Sequence, residues 1–211
     1  MYRSHGKRWF DLFATAVALI VAFPIILLVA LAIRLDSHGP AFFRQARIGR
    51  DRRRFVIIKF RTMTDRPNQE RQPQQDEGLF TDHDQRITRV GRILRRISLD
   101  ELPQLLNVLK GDMSLVGPRP IIPEQLSALD SESDERFDIR PGLTGLAQVS
   151  GRRALSWPQQ LSHDVDYARR VSFALDLKII LWTVAIVATG SGVYGSPKDN
   201  WRQYIKKSGS G

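Results

Sequence analysis

The sequence contains no cysteine. That excludes disulfides, a thiol nucleophile and any cysteine-based zinc centre. Its four histidines, His5, His38, His83 and His163, are scattered and show no metal-ligand spacing. There is no internal repeat and no low-complexity domain. Acidic residues are in short supply: 22 Asp and Glu against 32 Lys and Arg give a formal net charge of +10 and a pI near 10.5. A chain this basic meets a polyanion, be it nucleic acid, anionic lipid or a phosphorylated substrate. The basic residues match no nucleic-acid-binding motif and lack interleaved aromatics, which disfavours nucleic acid. With 211 residues, 42% of them hydrophobic, the chain fits one domain, or one domain with an appended membrane element. Ser208 to Gly211 read as a flexible tail.

The longest uncharged run is Leu12 to Ile33. As a helix it would measure about 33 Å, close to the roughly 30 Å of a bilayer hydrocarbon core. Basic residues flank both ends, Arg3, Lys7 and Arg8 before it and Arg34, Arg44, Arg47 and Arg50 after it. A spanning helix would put one cluster on the far side of the membrane, against the positive-inside bias. Pro24, near the middle, removes a backbone hydrogen bond and favours a bend. The pattern predicts a re-entrant helix–break–helix over residues 1–36, with both ends on one side. A plain spanning helix with a tolerated proline and a cleaved signal peptide ending near Ala30 or Ala32 are the competing readings.

Beyond it, Ala41–Phe43 and Phe55–Phe60 flank a basic turn containing Gly49 and predict a β-hairpin. Thr64 to Arg86 is polar and aperiodic, a long loop of the kind that serves as a lid. Arg86 to Ile97 carries Ile87, Val90, Leu94 and Ile97 on one face of a basic helix, either a core helix with a solvated side or a helix lying at a bilayer surface. Helices are also predicted over 123–138, 162–170 and 173–189, the last apolar but too short after Lys178 to span a bilayer. Gly111 to Pro120 reads as irregular, and Arg140 to Arg152 as a glycine-punctuated loop with a short extended piece.

Asp100 and Glu101 are adjacent acids at the start of a helix in this otherwise arginine-rich stretch. One account is capping: a Ser98–Glu101 capping box, or Asp100 as N-cap, which would place Pro103 in the first turn where its missing N–H costs nothing. The other is chemical. An aspartate at a helix N-terminus among arginines is expected to have a lowered pKa. Once ionised, it can attack phosphorus, and a neighbouring glutamate can hold a hard cation such as Mg²⁺. Arg95, Arg119, Arg140 and Arg152 are candidates to neutralise phosphoryl oxygens.

The motifs stand in a fixed order: Lys59-Phe60-Arg61-Thr62-Met63, Arg95-Arg96-Ile97-Ser98-Leu99-Asp100-Glu101-Leu102-Pro103-Gln104, Asn107 to Ser114, Gly117-Pro118-Arg119-Pro120 and Arg140 to Gly145. This set resembles the bacterial sugar transferase family, the monotopic phosphoglycosyl transferases, from the membrane segment to about Val187. The resemblance implies transfer of a sugar-1-phosphate from a UDP-sugar to polyprenyl (undecaprenyl) phosphate, with release of UMP. It implies Asp100 as nucleophile, Glu101 with Asp100 at Mg²⁺, and Lys59, Arg61, Arg95, Arg119, Arg140 and Arg152 about the phosphates. It further implies a catalytic domain over 37–190, a C-terminal extension over 191–211, and a monotopic position on the cytoplasmic leaflet of the bacterial inner membrane. Members often carry Ser-Pro at the membrane break; this chain has Phe23-Pro24, and phenylalanine cannot satisfy a backbone group freed there. The fold expected is α+β, with the re-entrant helix, amphipathic interfacial helices and a small globular part built on a short β-hairpin. The rival function is a non-enzymatic, membrane-anchored basic module indifferent to Asp100.

Overall fold

A computed structural model describes residues 2–64, 86–151, 155–189 and 201–205. Most of the expected Thr64–Arg86 loop, Arg152 and most of the 191–211 extension lie outside the described residues. The fold is mixed helix and strand, with two two-stranded sheets.

Helix α1, Lys7–Asp36, is a single 30-residue helix. Pro24 lies inside it, so the expected interruption is not one of secondary structure; a proline deletes its own hydrogen bond without ending a helix whose neighbouring bonds persist. Among the described residues α1 is the one helix long and apolar enough to cross a membrane. Its middle is exposed, with Phe13 at 74%, Ile20 at 76% and Leu28 at 68% of full accessibility. Its two ends are not. At the N-terminal end Lys7, Asp11 and Thr15 are buried, and at the C-terminal end Ile33 is 1% exposed.

The predicted hairpin forms from β1 (Phe42–Ile48) and β2 (Arg54–Phe60), antiparallel, with Gln45 opposite Ile57 and Arg47 opposite Phe55. Alternation puts Phe43, Gln45 and Arg47 on the same side as Phe55, Ile57 and Lys59. The basic turn tightens into a short 3₁₀ segment with Asp51 and Arg52 at positive φ. Helix α2, Arg89–Arg96, is shorter than expected: Thr88 caps it by accepting from Gly91 N–H at 2.9 Å, and Ile87 instead bridges to Met63. The 123–138 region is two 3₁₀ helices, Pro123–Ala128 and Ser131–Phe137, rather than one α-helix. Helix α3 is Leu105–Lys110, α4 Leu146–Ser150, α5 Trp157–Arg170 and α6 Phe173–Thr189. Gly111 ends α3 at φ 97°, a conformation that glycine alone adopts without strain.

The segments read as irregular contribute a second sheet. Strands β3 (Ser114–Val116) and β4 (Gly142–Thr144) are parallel and pair Ser114 with Gly142 and Val116 with Thr144. Just beyond β3 the backbones nearly touch. A Cβ on Gly142 would lie 2.1 Å from the Gly117 nitrogen, and one on Gly117 would lie 2.4 Å from the Arg140 carbonyl oxygen, so both positions require glycine.

One apolar cluster joins Ile33, Ala41, Phe60 and Leu94, with Leu99 and Leu102 packed against it, and so fastens the C-terminal end of α1 to the hairpin and α2. Asp36 adds a polar tie by accepting from Val90 N–H at 3.0 Å. The N-terminal end is fastened by polar groups. Lys7 Nζ lies 2.6 Å from Asp176 Oδ2 on α6, the Arg8 guanidinium donates to the Val108 and Leu109 carbonyls of α3, and Asp11 accepts from Ser114 Oγ at 2.8 Å and Leu115 N–H at 3.1 Å. Both ends of α1 are therefore held by one globular body.

Candidate active site

Asp100 and Glu101 lie on a 3₁₀ helix, Leu99–Gln104, that runs directly into α3. Neither expected cap forms. Ser98 precedes the helix in the left-handed region at φ 56° and makes no side-chain capping bond, and Asp100 is already inside the first turn. Pro103 sits within the helix, which the 3₁₀ form accommodates. Three residues per turn give this helix three faces, because side chains at i and i+3 eclipse. Leu99 and Leu102 face the Ile33–Phe60–Leu94 cluster and anchor the segment. Asp100 shares a face with buried Pro103. Glu101 shares the third face with Gln104, and both line a small recess with Arg47, Ile57, Lys59 and Arg119.

The register between this helix and the hairpin is set by Asn107, which is 1% exposed. Its side-chain Nδ2 donates to the Val56 carbonyl at 2.7 Å, and its Oδ1 accepts from Ile58 N–H at 3.1 Å, mimicking a neighbouring strand. That clamp brings Lys59 to the acids. Lys59 Nζ is 3.1 Å from Glu101 Oε1, and an Arg119 nitrogen is 3.6 Å from the same oxygen.

Asp100 does not have the lowered pKa expected of a helix-start aspartate. Burial pushes its carboxyl up to about 6, and the adjacent Glu101 charge pushes the same way, while Lys59 and Arg95 pull against both. The sequence pattern over-weighted the arginines because it carried no information about desolvation. At neutral pH a carboxyl titrating near 6 is still about nine-tenths ionised.

The other basic candidates divide. Arg95 acts on Asp100 electrostatically and lies 3.7 Å from Met63 Sδ. Arg61 is engaged elsewhere, donating to the Ser37 and His38 carbonyls and to Ser37 Oγ at the end of α1. Arg140 donates through Nε to the Gly111 carbonyl at 2.8 Å, in the company of Arg8 and Arg50. Its pKa is lowered by burial and by those two cations. The structure gathers Lys59, Arg95 and Arg119 around the acids, and sets Arg61 and Arg140 to holding the two ends of α1's surroundings.

Three further side chains at the site carried little sequence signal: Arg47 (1% exposed), Gln104 (2%) and Asn107. The two-residue alternation of β1 and β2 puts Arg47 on the same face as Lys59, a relation visible only once the hairpin register is known.

Among the described residues no three His, Cys, Asp or Glu side chains cluster closely enough to form a metal cage. Mg²⁺ does not require one, since it takes one or two carboxylates and fills its shell with water and phosphate oxygens. Two adjacent acids, one with its ionisation opposed by the other, fit that donor set.

The sequence model of the family described as bacterial sugar transferase matches residues 2–190. An uncharacterized sugar transferase, EpsL, of Bacillus subtilis is 43% identical over 187 residues, covering 89% of each chain. A UDP-glucose:undecaprenyl-phosphate glucose-1-phosphate transferase of Caulobacter vibrioides is 47% identical over 196 residues, covering 89% of this chain and 72% of that one. A UDP-N-acetylgalactosamine-undecaprenyl-phosphate N-acetylgalactosaminephosphotransferase of Aeromonas hydrophila is 38% identical and longer, this chain spanning 44% of it. With nearly its whole length matched and its paired acids set among basic side chains, the chain belongs to the bacterial sugar transferase family.

Proposed function

We propose that the protein transfers a sugar-1-phosphate from a UDP-sugar to polyprenyl phosphate, releasing UMP, through a covalent intermediate on Asp100. The observation that carries this reading is the Asp100–Glu101 pair, fixed on a helix with one face locked in the core and surrounded by Lys59, Arg95 and Arg119. The relatives named as sugar-phosphate transferases to undecaprenyl phosphate support the reaction class.

In the first step an Asp100 carboxylate oxygen attacks the phosphorus bonded to the sugar. The P–O bond to the nucleotide breaks, and its electron pair leaves on UMP. In the second step an oxygen of polyprenyl phosphate attacks the same phosphorus, and the bond to Asp100 breaks to restore the carboxylate. Lys59 and Arg119, already within 3.6 Å of Glu101, and Arg95 beside Asp100 offset the charge of two phosphates brought to one place. Glu101 and Asp100 would hold Mg²⁺, which when bound supplies neutralisation of diphosphate charge.

The lipid acceptor requires the site to lie at a membrane surface. Apolar side chains are exposed on both flanks of the acids, Ile93 on α2 with Ile97 just after it and Leu106 and Leu109 on α3, and on α6 at Leu181 and Val184. These faces suit helices lying at the interface. Both ends of α1 are held by the same body, which supports a re-entrant anchor: a helix tied at both ends to one water-facing domain cannot leave its ends on opposite sides of a bilayer. Pro24 is then the position at which the anchor bends in the membrane, on the cytoplasmic leaflet of the inner membrane.

The experiment is a trap. Incubation with a UDP-sugar labelled in the sugar, without polyprenyl phosphate, should leave label covalently on the protein and release stoichiometric UMP. Asp100→Asn should give neither. Undiminished turnover by Asp100→Asn, across a panel of UDP-sugars that the wild type accepts, would overturn the assignment.

A further inference from the structure

The recess beside Glu101 gathers four donor side chains, Arg47, Lys59, Gln104 and Arg119, against a wall of Ile57, Pro120, Gly142 and Leu143. Arg47, Lys59 and Arg119 can only donate, and Glu101 is the single carboxylate among them. Deepest on the Glu101 face is Gln104, 2% exposed. Its side-chain Nε2 is buried and makes no hydrogen bond. A buried amide donor left in this state is destabilising, and here it lies against a recess in which an acceptor could meet it. Whatever completes the recess must bring acceptor oxygens and negative charge.

The three-faced helix says which oxygens. Asp100 lies one face away from the Glu101–Gln104 face and is not part of the recess lining. In the reaction proposed above, the phosphorus under attack must sit at Asp100. A phosphate lodged among Gln104, Arg47 and Arg119 is therefore the other phosphate of the donor, the one that departs with the nucleoside.

We infer that Gln104 is a substrate-binding residue whose side-chain N–H donates to a non-bridging oxygen of the nucleotide-side phosphate, with Arg47 as the buried cation behind it. The inference rests on the phosphoglycosyl-transfer reading and adds a leaving-group site to it. It gives a role to a glutamine that is buried three residues after Glu101. It also separates the roles of the two neighbouring faces: Asp100 forms and breaks the covalent bond, while the Glu101–Gln104 face receives the group that leaves.

The test uses the full-length protein in detergent or nanodiscs, with UMP as ligand and uridine as the phosphate-free control. Gln104→Leu keeps the volume and removes the donor. UMP affinity should fall about tenfold or more, as expected for a hydrogen bond to a charged group, and uridine affinity should not change. The thermal midpoint of the ligand-free protein should hold or rise, because an unmet polar group has gone. Gln104→Glu, which places a second acid beside Glu101, should weaken UMP further. In turnover, Gln104→Leu should raise KM for the UDP-sugar, and UMP should become a weaker product inhibitor. UMP affinity within twofold of wild type in Gln104→Leu would overturn the inference. So would a loss of affinity matched by a drop of several degrees in the ligand-free midpoint, since that marks a packing role. If the wild type releases UMP and carries label on Asp100 but Gln104→Leu binds UMP normally, only the leaving-group site is wrong. A wild type that neither binds UMP nor releases it overturns the parent reading as well.

Discussion

The molecule places carboxylates among cations in two ways. At the N-terminal end of α1, Asp176 is fully buried and closed off: Lys7 Nζ at 2.6 Å, Tyr2 Oη at 2.6 Å and Tyr167 Oη at 2.6 Å all donate to it. Arg136 and Asp164, each 3% exposed, form a similar pair at 2.6 Å. At the Asp100–Glu101 pair the contacts are looser: Lys59 at 3.1 Å and Arg119 at 3.6 Å share one oxygen of Glu101, and two acids stand side by side. At the closed sites each carboxylate is held at 2.6 Å by a buried cation. The open one has two basic side chains at longer range and a carboxyl whose ionisation the protein resists. A closed carboxylate holds the fold; an open one is available to a ligand.

The two kinds are linked. Arg136 also donates from the same nitrogen to the Arg119 carbonyl at 2.7 Å, so a buried ion pair fixes the backbone of an arginine that reaches the open site. Tyr167, buried on α5, likewise lies 3.1 Å from the Val116 carbonyl at the end of β3. Structural pairs therefore set the distances at the reactive one.

The sharpest way to break the contrast is Asp176→Ala. It strips one acceptor from three donors and leaves Lys7 buried without its counter-ion, so unfolding free energy should fall by about 3–5 kcal/mol. Denaturant titration in detergent would measure it, and a change within about 0.5 kcal/mol would remove Asp176 from the closed class. Tyr167→Phe is gentler, removing one hydroxyl shared between Asp176 and Val116, with an expected loss of roughly 1.5–3 kcal/mol for a bond to a charged group.

The open site should behave oppositely and by less. Asp100→Asn should leave the thermal midpoint unchanged or slightly raised, because the folded protein gains nothing from ionising that group. The sign follows from the raised pKa: the folded state holds the proton more tightly than the unfolded chain, so the penalty is present above about 6 and relieved as the pH falls toward the ordinary carboxylate range. In the metal-free protein, carbon-13 carboxyl shifts of Asp100 should titrate near 6, and added Mg²⁺ should move that midpoint down. A midpoint at or below the ordinary aspartate value without metal would place Asp100 with the closed sites.

The sequence carried much of this and lost the rest for identifiable reasons. The hairpin and α6 were legible, the first from its apolar runs about a basic turn and the second from an apolar stretch broken only by Asp176 and Lys178. Asp100 and Glu101 were legible as a pair, since adjacent acids stand out in so basic a chain. Their helix was misjudged, because the 3₁₀ form depends on Ser98 in the left-handed region and on Leu99 and Leu102 finding the Ile33 cluster. Neither is a local property. Arginines were the least legible: Arg61, Arg119 and Arg140 all stand in the ordered motifs, yet Arg61 and Arg140 bind backbone carbonyls of α1's end and of Gly111. Strand β4 is the short extended piece expected within Arg140–Arg152, whereas β3 was hidden by its length of three residues and by a parallel pairing that no turn announces.

The six residues from Leu99 to Gln104 also work as a reading frame. Their places repeat in triplets: core, buried acid, recess, then core, proline, recess. Inserting or deleting one residue here would turn everything downstream by about 120°. A leucine would then face the phosphates and an acid the apolar cluster. Substitutions along this stretch can be graded one by one, but a change of length cannot be partial, so the spacing from Leu99 to Gln104 shapes the site as much as the carboxylates it carries.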